Sequence, residues 1–299
     1  MKLLDGNKVK KDRLEKLTKS VKDLKSVYET VPGLAVILIG DNPASKAYVG
    51  MKKKACNQIG INSYEYKLGA DIEEDELIQL IQYLNNNEEV NGILLQLPLP
   101  EHINEDKMLE LIAPTKDVDG FHPLNVGKLL IGLPTFKSCT PYGVCELMDF
   151  YKIDPTGKHV VIIGRSNIVG KPLAAMLMQK DKIGNATVTV CHSRSKNLKE
   201  IAASADILIA AIGKPDFVTA DMVKKDAIVI DVGINRVDDK NTEKGFRLVG
   251  DVDFDAVSKK VSAITPVPGG VGPLTITMLM TNTVESFKRH IERKNKIFK

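Results

Sequence analysis

The chain has 299 residues, 43% apolar and 27% charged, and its 42 basic and 38 acidic side chains leave a net charge of only +4. This is the composition of a globular chain long enough for two domains, with no apolar run able to span a bilayer and no charge excess suited to nucleic acid. The N-terminal "MKLLDGNKVKKDRLEKL" lacks the apolar core and small-residue cleavage site of a signal peptide, and the basic "FKRHIERKNKIFK" reads as a solvated helix end. Cys56, Cys139, Cys145 and Cys191 form no C-x-x-C pair, and the five histidines show no metal-ligand spacing. No metal and no disulfide framework is expected, and the cytoplasm is the expected compartment.

In chain order, "LAVILIG" (Leu34 to Gly40) and "GILLQL" (Gly92 to Leu97) read as strands, and "SKAYVGMKKKACNQIG" and "EEDELIQLIQYLNN" carry helical spacing. This alternation predicts an α/β fold with a helix-covered parallel sheet. The first of these helices is capped by Asp41 or Asn42, has Pro43 in its first turn and ends at Gly60. At 100° per residue Tyr48, Ala55, Cys56 and Ile59 form one stripe. Lys52 falls inside that stripe, whereas Lys53, Lys54 and Asn57 point elsewhere. A solvated face explains Lys53 and Lys54 but not Lys52. A lysine on an inner face either snorkels outward or lines a cleft where desolvation lowers its pKa, and periodicity leaves both open.

Gln96 stands past the end of its strand, ahead of Pro98 and Pro100, and "DVDGFHP" places Asp117 and Asp119 before Gly120. Ligand sites of open α/β sheets lie outside the carboxyl ends of the strands, which makes these side chains candidates. Turn capping is the alternative for the carboxylates.

"SCTPYG" (Ser138 to Gly143) carries turn residues at the join between the halves, followed by a connecting helix up to Tyr151. Beyond it "HVVIIG", "ATVTVC", "DILIAAIG", "AIVIDVG" and "VSAITPV" are continuous Val/Ile runs, as strands buried on both faces require. They predict a Rossmann-like, doubly wound parallel sheet over 141–272. Residues 1–140 form the other α/β domain, and a last helix from Pro273, within 273–299, folds back on it.

In "VVIIGRSNIVGKP" Gly164 follows a strand and Gly170 opens a helix, whose N-terminus offers N–H groups and a positive dipole end to a phosphate. NAD sites carry an acid after the second strand for the ribose 2′-OH. Here that strand runs into His192, Ser193 and Arg194, with no acid, and Arg165 lies in the adjoining turn. A carboxylate would repel a 2′-phosphate, whereas Arg and Ser bind one, so the expected cofactor is NADP.

Taken in order, "YVGMKKKAC", "GILLQLPLP", "KDVDGFHP", "SCTPYG", "GRSNIVGKP", "AIGKP", "DVGIN" and "TPVPGGVGP" resemble the bifunctional methylenetetrahydrofolate dehydrogenase/methenyltetrahydrofolate cyclohydrolase family, from about Leu4 to about Thr283. The resemblance implies two α/β domains with a cleft between them for tetrahydrofolate substrates, NADP on the C-terminal domain, a homodimer, and a place in one-carbon metabolism and purine biosynthesis. Carried over by position, Lys52 is the catalytic lysine, Tyr48 stacks on the folate, Gln96 partners the lysine and Asp119 holds the pterin's amino edge. Leu97 and Pro98 join the folate site, as do Gly269, Gly270 and Pro273 of the "PGGVGP" loop. Gly164, Arg165, Ser166, Ile168, Ser193, Arg194 and Ile234 line NADP. Two other readings are an NADP oxidoreductase of another small substrate and a nucleotide-sensing module without chemistry. The first has no need of the Tyr48–Lys52–Gln96–Asp119 set, and the second predicts NADP binding with no turnover of any folate.

Overall fold

The computed structural model describes residues 1–240, 242 and 245–297. In chain order they form β1 (Lys2–Leu3), α1 (Gly6–Tyr28), β2 (Gly33–Ile39), α2 (Pro43–Ile59), β3 (Asn62–Leu68), α3 (Glu74–Asn86) and β4 (Gly92–Leu95). Then follow α4 (Glu105–Leu111), α5 (Pro123–Leu130), α6 (Cys139–Phe150), β5 (His159–Ile163), α7 (Gly170–Met178), β6 (Thr187–Cys191), α8 (Leu198–Ala203) and β7 (Ile207–Ala210). Last come β8 (Ile228–Asp231), β9 (Asn235–Asp238), β10 (Phe246–Val249), α9 (Phe254–Val257), β11 (Ala263–Ile264) and α10 (Gly272–Ile297). No helix among the described residues is long and apolar enough to cross a membrane.

The chain divides into two compact units, Asp12–Cys139 with Ile276–Lys299, and Met1–Lys11 with Thr140–Thr275. The first holds a parallel sheet of order β3-β2-β4. All seven residues of β2 are buried, and Ile37 and Ile93 pack with Leu77 and Ile81 of α3 and Met108 of α4. β3 escapes the sequence reading because "NSYEYKL" mixes charges into its pattern. It forms because β2 offers a full seven-residue ladder, from Gly33 opposite Asn62 to Ile39 opposite Leu68. Its Glu65 meets Lys53 and Lys67 at 3.1 and 3.2 Å.

α10 ties this unit together with polar side chains. Asn282 Nδ2 donates to the carbonyls of Val118 (2.7 Å) and Lys137 (2.9 Å). Ser286 Oγ lies 2.6 Å from the carbonyl of Asn91 and 2.8 Å from that of Thr115. The segments carrying Asp119 and Cys139 are thus held by one buried amide.

The second unit is a six-stranded sheet of order β1-β11-β8-β7-β5-β6, parallel throughout. Val160 and Ile162 of β5 face one core cluster, and Val161 and Ile163 the other, which is why this strand is apolar without alternation. β5 has β6 on one side and β7 on the other, so the winding reverses there and a crevice opens at the carboxyl ends of β5 and β7. Residues 1–11 belong here and not with the first domain as expected. The cause is a long-range pairing, Lys2 and Leu3 against Ala263 and Ile264, too short to leave a periodic signal. The antiparallel β9–β10 pair was likewise not foreseen.

Replacing Asn282 by Ala strands two backbone carbonyls without their donor. The expected cost is about 1–3 kcal/mol, read as a lowered urea midpoint with an unchanged slope; an unchanged midpoint would show that water replaces the amide.

Candidate active site

α2 starts where Asn42 accepts hydrogen bonds from the backbone N–H groups of Ala44 (2.9 Å) and Ser45 (3.2 Å), and Pro43 supplies the first helical residue. It stops at Gly60, which takes a left-handed conformation (φ 83°) open to glycine at little cost. Its buried face is Ser45, Val49, Lys52, Ala55, Cys56 and Ile59. Lys52 is only 9% exposed, among apolar neighbours, while Lys53 and Lys54 are solvated. Tyr48 departs from the expected stripe: it sits at its edge, one turn before Lys52, and is 43% exposed.

Lys52 Nζ donates to Gln96 Oε1 at 2.9 Å. Gln96 is fixed on both sides of that contact. Its backbone N–H donates to the Ile37 carbonyl (2.9 Å), which extends the β2–β4 ladder by one residue. Its Nε2 donates to the Leu97 carbonyl (2.8 Å), so the amide must turn its oxygen to the lysine. Leu97 is half-buried and Pro98 exposed, with a cis peptide between them.

The two candidate aspartates separate cleanly. Asp117 accepts from the N–H groups of Gly120, Phe121 and His122 and from Asn125 Nδ2, at 2.8–3.1 Å. It is a turn-capping residue. Asp119, half-buried, belongs instead to an electrostatic group with Lys52 and Cys139. Burial raises its carboxyl to about 6; the Lys52 charge opposes this, Asp117 adds to it, and a hydrogen bond with Cys139 opposes it. Burial lowers the Lys52 amine below its ordinary value, and the Asp119 charge partly holds it up. The Cys139 thiol is pushed well above its usual range by burial and then by Asp119, so it stays protonated. It donates to the Val118 carbonyl at 3.4 Å. Sequence reasoning missed Cys139 as a site residue, since "SCTPYG" reads as a joint between halves.

The second unit places the nucleotide candidates at the switch point. A Cβ on Gly164 (φ 143°) would lie 2.1 Å from the Ala211 carbonyl oxygen, and one on Gly170 would lie 2.1 Å from the Gly164 oxygen. Only glycine permits so close an approach of turn, helix and neighbouring strand. Ser166 closes the turn, its Oγ accepting from the Val169 N–H at 3.1 Å. Arg165, Ser166 and Ile168 are exposed, at the mouth of the nine-residue α7. Ile163 pairs with Cys191, so Arg165 and Ser193 each stand two residues past the last paired position of neighbouring strands. Ser193 and Arg194 are exposed, and the turn is set by the Arg194 N–H on His192 Nδ1 (3.1 Å) and the His192 N–H on Ser195 Oγ (3.0 Å).

Ile234, 44% exposed, follows β8 and comes within 2.9 Å of where a Cβ on Gly272 would stand. In the "PGGVGP" loop Gly269 takes φ 104°, and its carbonyl accepts from the Gly6 N–H at 2.8 Å. Gly270 leaves no room for a Cβ beside the Pro266 carbonyl (2.5 Å), and Pro273 is the second residue of α10. The expected residues thus form two sets. Tyr48, Lys52, Gln96, Leu97, Pro98 and Asp119 lie on one unit, and the glycine turn, Ser193, Arg194, Ile234 and the "PGGVGP" loop on the other.

A doubly wound sheet with a glycine turn at its switch point and basic residues after its second strand defines a nicotinamide-nucleotide-binding α/β protein. The profile described as tetrahydrofolate dehydrogenase/cyclohydrolase, catalytic domain, matches residues 4–119, and that of the family's NAD(P)-binding domain matches residues 138–291. The bifunctional protein FolD of Chlorobium phaeobacteroides is 53% identical over 291 residues, spanning 97% of this chain and 98% of its own length. The crystal structure of the FolD methylenetetrahydrofolate dehydrogenase/cyclohydrolase from Campylobacter jejuni is 52% identical, with a TM-score of 0.91 over 97% of this chain and 99% of that one. A Trypanosoma brucei methylenetetrahydrofolate dehydrogenase-cyclohydrolase complexed with NADP cofactor and inhibitor is 39% identical, with a TM-score of 0.91 and coverage of 97% and 98%. The chain belongs to the tetrahydrofolate dehydrogenase/cyclohydrolase family.

Asp119 gives a pH test. Its folded-state pKa is raised, from 3.8 to about 6, so its contribution to stability is fully present below the unfolded value and is lost as pH rises through about 6. Asp119→Asn, which mimics the neutral acid, should match the parent near pH 4 and exceed it by up to about 3 kcal/mol at pH 8. Urea unfolding at the two pH values checks this, and a pH-independent difference would refute burial as the cause.

Proposed function

We propose that this protein is a bifunctional enzyme that oxidises 5,10-methylenetetrahydrofolate to 5,10-methenyltetrahydrofolate with NADP and hydrolyses the product to 10-formyltetrahydrofolate. The observation that carries this reading is the buried Lys52 amine held by Gln96 Oε1 at 2.9 Å beside the Asp119 carboxylate. An NADP oxidoreductase of another substrate has no use for that set, and a nucleotide sensor has no use for any buried base.

The residues of the nucleotide-binding unit fit NADP. The α7 N-terminus and the Cβ-free turn admit a diphosphate, and Arg165 and Ser193 meet the 2′-phosphate where an acid would exclude it. Bound there, the oxidised cofactor would supply a hydride acceptor for the carbon bridging N5 and N10 of the folate. The exposed ring of Tyr48 stacks on the substrate, and Asp119 holds the amino edge of the pterin. Leu97, Pro98 and the Gly269–Gly270–Pro273 loop complete the folate contacts.

The methenyl product is a cation, so a permanently charged lysine beside it would be repelled. Desolvation therefore favours the neutral Lys52 amine, while Asp119 preserves enough basicity for it to act. Lys52 Nζ takes a proton from the attacking water as oxygen bonds to the methenyl carbon. The ammonium then returns a proton to N5 as the carbon–N5 bond breaks, and the carbinol hydroxyl gives its proton to the freed amine as the formyl C=O forms on N10. Gln96 orients the amine through an uncharged oxygen. On the same family resemblance the enzyme acts in the cytoplasm as a homodimer.

Hydride transfer needs no protein base, whereas water attack and ring opening need proton transfers worth about 10²–10⁴-fold from a positioned group. Lys52→Met should therefore abolish cyclohydrolase activity within detection while dehydrogenase activity persists at a reduced rate with methenyl product accumulating. Lys53→Met should behave as the parent in both spectrophotometric assays. Full cyclohydrolase activity in Lys52→Met would overturn the assignment.

Cofactor choice is tested separately. Arg165→Ala should weaken NADP by about 1.5–3 kcal/mol, the value of a charge-assisted hydrogen bond, and leave NAD nearly unchanged. Equal losses for both nucleotides would show that the arginine only shapes the turn.

A further inference from the structure

Behind the carboxyl ends of β7 and β8 lie two buried carboxylates that the chemistry above does not use, Asp231 (3% exposed) and Asp251 (0%). Asp251 Oδ2 accepts from the N–H groups of Ile212 (2.7 Å) and Gly213 (2.8 Å), and its Oδ1 from Lys214 N–H (3.0 Å) and Asn235 Nδ2 (2.8 Å). Asp231 Oδ1 accepts from the N–H groups of Gly233 (2.9 Å) and Asp251 itself (3.0 Å), and its Oδ2 from Val252 (2.9 Å). The last residue of β8 thus fixes the backbone of Asp251, and Asp251 fixes three successive peptides after β7. Gly233 and Gly250 make room: a Cβ there would stand 2.2 Å from Asp251 Oδ1 and 1.8 Å from Asp231 Oδ2.

What these carboxylates hold is the floor of the nucleotide site. The Ala211 carbonyl, which shares the first clamped peptide with the Ile212 N–H, is the group that a Cβ on Gly164 would strike. Ile234 is gripped on both sides, since Gly233 donates to Asp231 and Asn235 to Asp251. A carboxylate accepting several N–H groups in a dry interior is a stiff anchor, because each donor loses a charge-assisted bond if it moves.

We propose, building on the NADP-dependent reading above, that Asp251 is a positioning residue for the nucleotide. Its carboxylate sets the 212–214 backbone and, with Asp231, the turn bearing Ile234, and so shapes the NADP end of the sheet without touching the folate chemistry.

The test uses the full chain and two assays that divide the roles. Dehydrogenase kinetics with methylenetetrahydrofolate report NADP binding, and hydrolysis of methenyltetrahydrofolate without nucleotide reports the Lys52 site alone. Asp251→Asn keeps the shape but replaces one acceptor with a donor facing donors. It should raise the KM for NADP at least about fivefold, the effect of one ordinary hydrogen bond on affinity. Nucleotide-free cyclohydrolase activity should stay within about twofold of the parent, and NADP should raise the melting temperature less than it does in the parent. Asn235→Ala, which removes one donor and keeps the carboxylate, should shift the NADP KM in the same direction by a smaller factor, and it decides the matter if Asp251→Asn does not fold. A folded variant with parental NADP affinity, or one losing both activities together at unchanged NADP KM, overturns the proposal. If the parent itself ignores NADP, it is the reading of the function that fails.

Discussion

A primary amine kept out of water is the constraint around which one unit of this protein is built. Lys52 cannot shed its desolvation by snorkelling, because Val49, Ala55 and Cys56 of the same helix face are buried with it. Its needs are met by one neutral acceptor, Gln96 Oε1, whose direction is fixed by a second hydrogen bond from the same amide. A carboxylate hydrogen-bonded in that place would favour the charged ammonium. The amide gives orientation without that bias, and the bias comes from the more distant charge of Asp119. Burial and Coulomb attraction act against each other on one nitrogen, and burial is the larger, so the amine lies below its ordinary value.

The aspartates show how the same side chain is put to different work by its surroundings. Asp117 and Asp251 spend their oxygens on backbone N–H groups and one asparagine amide each, and so fix turns. Asp231 does the same with N–H groups alone, and burial raises its carboxyl to about 7 against the opposing effect of three N–H donors. Asp119, two residues from a turn-capping aspartate, interacts with a lysine and a thiol instead. Residue type does not separate these roles; the donors within reach do.

The cofactor unit depends on close approach more than on charge. Gly164 and Gly170 let a carbonyl, a turn and a helix start meet where any Cβ would collide, and the same device recurs at Gly233, Gly250 and Gly270. The exposed Arg165, Ser193 and Arg194 are then mounted on an already fixed surface. Arg165 and Ser193 follow the same edge of the sheet because β5 and β6 pair in parallel register, not because they are near in sequence.

Local pattern was enough for much of this. Continuous Val/Ile runs marked β5, β7 and β8, since a strand buried on both faces cannot alternate, whereas the edge strand β6 alternates Thr with Val and is only partly buried. A cap at Asp41 or Asn42 and the stop at Gly60 bounded α2, and helical periodicity put Lys52 inside while leaving Lys53 and Lys54 out. The lack of an acid after β6 pointed to NADP, because the sign of a charge is a property of sequence. Tertiary structure decided the remainder. β1 and β3 form through ladders supplied by distant strands, and Tyr48 lies at the rim because burial depends on what packs against a face. Asp117 and Asp119 were equivalent as letters until folding brought backbone donors to one and an amine and a thiol to the other. The same holds for Cys139, Asp231 and Asp251, whose partners lie up to 143 residues away: a buried polar group takes its character from neighbours that only the folded chain assembles.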